Sequence, residues 1–188
     1  MELKDIYLNI IEPVQYEVGR LWQINQISVA RGHLCTTISD MIISQFRKEQ
    51  IKSKKSQNTI ISTCIDTEQH ELGIKMISNL LINEGWNVFY IGANVPIESI
   101  LSIIEEQNAD LLAISAALIT HIYKIKELID EIRSSEWSDI EIIVGGGAFN
   151  KYPELMNSYP KVWEKIGANG YAPNAREAIR LVENLLLG

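Results

Sequence analysis

From residue 59 onward the chain alternates short Ile- and Val-rich runs with longer amphipathic stretches, and this alternation restricts the fold more than any other feature. The short runs are Thr59–Ile65, Trp86–Gly92, Leu111–Ala117, Glu141–Gly146 and, most weakly, Lys165–Tyr171. Apolar residues recur at helical spacing over His70–Asn83, Pro96–Gln107, His121–Ser134, Pro153–Tyr159 and Pro173–Leu187. The short runs lack the polar/apolar alternation of a half-solvated strand. They read as strands covered on both faces, which calls for a parallel sheet between helical layers. Pro96 and Pro173 fall at helix starts, where a missing N–H is tolerated.

Five such units predict an α/β domain over residues 59–188: a flavodoxin-like (Rossmann-like) five-stranded parallel sheet of order 2-1-3-4-5. Upstream, residues 47–58 hold five of the chain's 17 basic residues and a single aliphatic one, and read as a solvated linker. Before it, Ile6, Ile10, Ile11, Val14, Val18, Leu21 and Trp22 mark one helix. A second runs from Ser28, its expected N-cap, to Phe46, with Val29, Leu34, Ile38, Met41 and Ile42 on its apolar side. The expected division is a short α-helical segment over 1–50, a linker over 51–58 and the α/β domain over 59–188. Two helices bury little by themselves, so the first segment must lie on something else.

Composition narrows the function classes. A net charge of −7 argues against a direct nucleic-acid grip. No apolar run approaches the roughly 20 residues of a membrane span. The opening Met1-Glu2-Leu3-Lys4-Asp5 lacks a signal-peptide profile, and Cys35 and Cys64 form no disulfide framework, so a reduced, cytoplasmic chain is expected.

In an open α/β sheet, ligands bind beyond the carboxyl ends of the strands at the topological switch point, here between the first and third strands. The first loop there is Asp66-Thr67-Glu68-Gln69-His70-Glu71-Leu72-Gly73. His70 among carboxylates suits a metal ligand whose second ring nitrogen is held by Glu68 or Asp66; it equally suits a solvated helix start. No second His or Cys stands at ligand spacing, so a metal here would take most of its ligands from a cofactor. The second loop, Ser115-Ala116-Ala117-Leu118-Ile119-Thr120, is small and hydroxyl-bearing. The third, Gly145-Gly146-Gly147-Ala148-Phe149, strips side chains from a strand end. A receiver domain's phosphoacceptor aspartate is missing at Ser115-Ala116, and so is a flavodoxin's hydroxyl-rich phosphate loop after the first strand.

Together the three loops resemble the cobalamin-binding family pattern of Asp-x-His-x-x-Gly, Ser-x-Leu and Gly-Gly. Here the elements read Glu68-Gln69-His70-Glu71-Leu72-Gly73, Ser115-Ala116-Ala117 and Gly145-Gly146, separated by 41 and 27 residues, gaps similar to the family's own. Gly167-Ala168-Asn169-Gly170-Tyr171-Ala172-Pro173 resembles its closing strand and helix start. Glu68 stands in place of the usual Asp, and Ala117 in place of the common Leu. The resemblance implies cobalamin bound base-off, with His70 as the lower axial ligand of cobalt and Glu68 on its other nitrogen. It places the cofactor's tail beside Ser115, Ala117, Thr120, Gly145 and Gly146. Asp66, Thr67, Gln69, Glu71, Leu72, Gly73, Leu118, Gly147, Phe149 and Tyr171 complete the expected contact set.

Residues 1–46 resemble part of the helical cap of cobalamin-dependent photoreceptor regulators. Trp22 matches that family's tryptophan and His33 its histidine, an expected upper-face cobalt ligand, while Gly32 replaces its glutamate. The resemblance therefore puts a cobalamin or light sensor first, binding adenosylcobalamin or methylcobalamin, without catalytic activity of its own and working through a regulatory partner. The alternatives are a corrinoid carrier shuttling methyl groups between methyltransferases, and a haem- or bilin-binding sensor. Self-association through the cap is a further expectation.

Overall fold

The computed structural model describes residues 3–46, 57–65, 67–150 and 161–188. The chain divides into two compact units, Met1–Ile51 and Lys52–Gly188. Most of the expected linker, and the expected helix over Pro153–Tyr159, lie outside the described residues.

In the first unit, α1 (Leu3–Ile6), a π-helical turn (Tyr7–Ile11) and α2 (Glu12–Gln23) follow one another, and α3 (Val29–Phe46) runs beside α2. Ser28 caps α3 as expected, accepting the backbone N–H of Arg31 at 3.3 Å. The helices meet through Tyr7, Ile11 and Ile43, all buried, and through polar bridges: Gln15 Nε2 donates to Ser39 Oγ at 2.8 Å and the Tyr7 hydroxyl to the Ile43 carbonyl at 3.3 Å. The apolar side of α3 is exposed at Val29, Leu34, Ile38, Met41 and Ile42, while the neighbouring helix covers Ser39 and Ile43. A pair of helices has one shared seam, and it cannot cover two apolar stripes.

In the second unit, β1 (Thr59–Ile65), β2 (Asn87–Val95), β3 (Leu111–Ser115), β4 (Glu141–Gly145) and β5 (Gly170–Ala172) form a parallel sheet of order β2-β1-β3-β4-β5. The fold class and strand order agree with the reading of the sequence. Every residue of β1 is buried, and so are the centres of β3 and β4, as their unbroken apolar character requires. Ile61, Ile65, Leu112, Ile114, Ile142 and Val144 point to one face, into a core shared with α5 (Ile97–Gln107) and α6 (Ile122–Arg133). Alternate residues face α4 (Leu72–Asn83), where Ser62 Oγ and Ser78 Oγ share a hydrogen bond of 2.7 Å. The helix α9 (Ala175–Leu187) packs on α4 and β5, after the short helices α7 (Gly147–Asn150) and α8 (Val162–Lys165).

Several element ends differ from the sequence reading. The strand β2 continues past Gly92 to Val95, because two register shifts against β1 accommodate left-handed residues at Gly92 (φ 89°) and Asn94 (φ 56°). At the far edge, Lys165 belongs to α8. Gly167 (φ 85°) then turns the chain and donates its N–H to the Glu164 carbonyl, so β5 begins only at Gly170. Pro96 is the N-cap of α5 rather than its first helical residue, and Pro173 precedes Asn174, whose side chain caps α9 by accepting the Glu177 N–H at 3.0 Å.

Candidate functional site

The register aligns Cys64 with Ser115, Ser115 with Gly145 and Gly145 with Ala172 across the carboxyl edge of the sheet. Every loop singled out in the sequence leaves the sheet from this row. Asp66 lies outside the described residues.

Glu68 is the pivot. Its residue is fully buried, and its carboxylate collects four N–H donors. Oε1 accepts the His70 backbone N–H at 2.9 Å and the His70 ring Nδ1–H at 2.6 Å. Oε2 accepts the Ala117 backbone N–H at 2.7 Å and the His121 ring Nδ1–H at 2.9 Å. A carboxylate has about four lone-pair sites, so this one is saturated. Burial alone would raise its pKa. The donors from the His70 ring, the Ala117 and His70 backbones and the His121 ring overcome that and hold it well below the usual carboxylate range. Both tautomers follow from the partner: an ionised carboxylate only accepts, so each Nδ1 must carry the proton.

The His70 side chain is 66% exposed, with its Nε2 on the far side of the ring from Glu68. Cys64 steadies the same turn from below, its buried thiol donating to the His70 carbonyl at 3.6 Å. Burial, followed by the nearby carboxylates of Glu68 and Glu71, pushes that thiol far above its ordinary range. The bulged end of β2 reaches the loop as well. Asn94 Oδ1 accepts the Thr67 N–H at 2.8 Å, and the Asn94 N–H donates to the Glu68 carbonyl at 3.1 Å. Thr67 is thereby held in a left-handed conformation (φ 67°) that costs a β-branched residue about 1–3 kcal/mol. Its hydroxyl lies 3.3 Å from His121 Nε2.

Of the expected contact set, the structure brings Thr67, Glu68, His70 and Ala117 into one hydrogen-bonded group. Ser115, Gly145 and Gly146 sit beside it. Gly146 is left-handed (φ 94°), and a β carbon there would lie 2.8 Å from Ser115 Oγ and closer still to the Ala116 carbonyl oxygen. Gln69, Leu118 and Thr120 are exposed at the rim, and Gly73 faces open space. Glu71 accepts the Tyr90 hydroxyl at 2.7 Å. Leu72 and Phe149 are buried; Phe149 packs on Tyr171, and the Tyr171 hydroxyl donates to Asn150 at 2.6 Å. Gly147 opens α7. Trp22 and His33 belong to the helical unit, where both are exposed.

The residue that sequence reasoning missed is His121, which stands 53 positions from Glu68 in the chain. Among the described residues, no group of three or more His, Cys, Asp and Glu side chains could hold a metal ion, and no helix is long and apolar enough to cross a membrane.

Known families and proteins resemble this chain over most of its length. A B12 binding domain family matches residues 58–180, and a second B12 binding domain family matches residues 1–46. Dimethylamine corrinoid protein 2 of Methanosarcina acetivorans is 29% identical over 136 residues, 71% of this chain and 58% of that protein. The chain thus spans a little under three fifths of the length of that curated relative. Dimethylamine corrinoid protein 3 of Methanosarcina mazei is 26% identical over 175 residues, 92% of this chain and 96% of the relative. Among solved structures, the Methanosarcina barkeri monomethylamine corrinoid protein matches with a TM-score of 0.83 at 20% identity, covering 99% of this chain and 85% of that one. The methanol:cobalamin methyltransferase complex from the same organism matches with a TM-score of 0.58 at 20% identity, over 98% of this chain and 67% of that one. With its α/β unit matched almost from end to end, the chain belongs to the B12 binding domain family and is a corrinoid-binding module.

Proposed function

We propose that this module is a corrinoid carrier serving a methyltransferase partner, with His70 as the lower axial ligand of cobalt in a base-off cofactor. The observation that carries the reading is the Glu68–His70 pair: a buried, saturated carboxylate fixes one imidazole nitrogen at 2.6 Å, and the other nitrogen lies beyond the carboxyl edge of the sheet. The light-sensor reading came first from the sequence. It finds no support among the relatives, which are named as corrinoid proteins of methylamines. That reverses the order of the two readings.

The residues fit the group. A corrin ring supplies its own equatorial nitrogens, so the protein needs to present one imidazole, and His70 does so. When bound, the cofactor would supply a cobalt centre able to accept and donate a methyl group. The chain's own contribution is positional and electrostatic. Glu68 fixes the tautomer and tilt of His70 and raises its basicity. Cys64 and Asn94 hold the backbone of the same turn. Ser115, Ala117, Thr120, Gly145 and Gly146, with Asp66 and the rim residues, are the candidate lining for the cofactor's tail. Trp22 and His33 remain candidate upper-face contacts of the helical unit. A methylcobalamin or adenosylcobalamin upper ligand is compatible with all of these roles.

The test is reconstitution with aquacobalamin and with methylcobalamin. A base-off, histidine-ligated absorption spectrum is expected, and His70→Ala should replace it with the spectrum of water-ligated cobalt. An identical spectrum in that variant would refute the assignment. A stable new form after green illumination of the adenosylcobalamin complex would restore the sensor.

A further inference from the structure

We propose that one side of the helical pair is a docking surface for a second copy of this chain, and that two copies meet there as a four-helix bundle about a two-fold axis. The seam of the pair is marked by three hydrogen bonds: Tyr7 to the Ile43 carbonyl, Gln15 to Ser39 and Thr36 to Gln15. Early positions of one helical stretch meet late positions of the other, so the two run antiparallel. In antiparallel right-handed helices, the residues that precede the seam positions turn to one side of the pair on both helices. Those that follow turn to the other side. Around Ile11, Gln15, Ser39 and Ile43 the preceding residues are Ile10, Val14, Ile38 and Ile42; the following ones are Glu12, Tyr16, Asp40 and Ser44. One side is therefore aliphatic and the other mainly polar. Leu34, one turn before Ile38, extends the aliphatic side, whose five members are between 36% and 59% exposed.

The area and the supply of apolar surface both point to a second copy. Five half-exposed aliphatic side chains present apolar surface on the order of 500 Å², the size at which a patch on a single chain is often functional. With its rim, such a patch approaches the roughly 800 Å² that each partner buries in a standard interface. Whatever covers it must itself be apolar. Among the described residues, the α/β unit leaves four large hydrophobic side chains exposed, Leu118, Ile119, Tyr123 and Leu187, against ten in the helical unit. The one matching face of aliphatic side chains among the described residues is the same face on another copy. Pairing the two faces gives every helix a second apolar neighbour, as in a four-helix bundle, where a lone pair of helices shares a single seam. A two-fold interface uses the same patch on both copies and closes at two. Neither Trp22 nor His33 belongs to these rows, so the surface goes beyond the corrinoid reading and does not depend on it.

The test is analytical sedimentation of the full apo chain over a range of concentrations, which keeps its outcome separate from the fate of the corrinoid reading. A species of twice the 21.3 kDa chain mass is expected. Its dissociation constant should be about 1 μM or tighter, the weak end for an interface of standard size. Ile38→Glu puts an unpaired charge into the interface twice and should weaken association about 100-fold or more. Ile38 is half-exposed in the single chain, so the variant should keep its helices, which far-ultraviolet circular dichroism checks. If it does not fold, Leu34→Gln replaces it, a change to another helix former that should weaken association at least about 10-fold. Ser44→Glu, on the polar side, should associate within about twofold of the parent, as surface changes away from an interface do. Cys35, between Leu34 and the seam residue Thr36, stays within reach of reagents in protein diluted below the dissociation constant. A parent chain that remains monomeric far above that concentration would overturn the proposal. An open-ended series of larger species would do so too, since a two-fold patch closes at two. So would a dimer that the variants on the aliphatic side leave intact.

Discussion

Glu68 Oε1 takes two hydrogen bonds from one residue, the backbone N–H of His70 at 2.9 Å and its ring Nδ1–H at 2.6 Å. A single oxygen therefore fixes both where the His70 backbone lies and how its ring is turned. Neither bond by itself would do both, because an exposed imidazole turns freely about χ2.

Glu68→Gln should therefore be costly even without any cofactor. The amide that replaces one oxygen must face an N–H donor, and the buried negative charge that matched four donors is lost. A loss of about 3 kcal/mol in apo-protein stability is expected from charge-assisted bonds of this kind. Glu68→Asp keeps the charge but shortens the reach to His121 and Ala117, and should cost less. Urea unfolding of the two variants checks the order.

The same carboxylate predicts acid sensitivity. In the unfolded chain Glu68 titrates near its ordinary value of 4.5; in the fold it stays ionised to much lower pH. As pH falls, the unfolded state binds the proton first, so Glu68's stabilising contribution is complete above pH 4.5 and is lost progressively below it. Unfolding midpoints taken between pH of about 6 and about 3 should fall more steeply for the parent than for Glu68→Gln. Parallel slopes would mean that this carboxylate is not held low.

The sheet and its loops were legible because their causes are local: a continuous apolar run is a buried strand, and the strand order names the loops that meet. Local spacing narrowed the partner of His70 to Glu68 or Asp66, and the family resemblance singled out Glu68. His121 was not legible, although the loop Ser115–His121 was already marked as one side of the switch point. Its role depends on which way one ring turns after a 3₁₀ turn, and no periodicity encodes that. A histidine near the start of the helix after β3, opposite a loop already holding a carboxylate, was the signal available. The β2 terminus was lost differently, since Gly92 and Asn94 look like strand breakers and are in fact bulge residues. In the helical unit, hydrophobic spacing marked an apolar side of α3 but not the residues that the neighbouring helix covers, Ser39 and Ile43.

The two cysteines should react at very different rates. Cys64 is fully buried under the His70 turn, with its thiol kept protonated by burial and two neighbouring carboxylates, whereas Cys35 on α3 is partly exposed. Native protein treated with a thiol reagent should take up one label quickly, on Cys35, and the second only on unfolding, since the thiolate is the reactive form. Rapid double labelling would mean that the β1 loop opens readily.

Gly146 should tolerate no side chain. Its left-handed backbone (φ 94°) already disfavours an L residue, and a β carbon would stand 2.8 Å from Ser115 Oγ and closer to the Ala116 carbonyl oxygen. That carbonyl also accepts the Ala148 N–H at 2.9 Å, so it cannot retreat without breaking the bond that ties the first turn of α7 to the β3 loop. Two penalties therefore add at one position, conformational strain and a backbone clash, and Gly146→Ala should lower stability by about 2–4 kcal/mol. Gly73 is the control: nothing lies within 4 Å of a β carbon there, and its φ is not left-handed. It sits in the first turn of α4, where alanine is the better helix former, so Gly73→Ala should leave apo-protein stability unchanged or raise it by up to about 1 kcal/mol. Thermal unfolding of both apo variants separates the effects. If Gly73→Ala proves stable yet binds aquacobalamin poorly, the open space over Gly73 is space the cofactor uses.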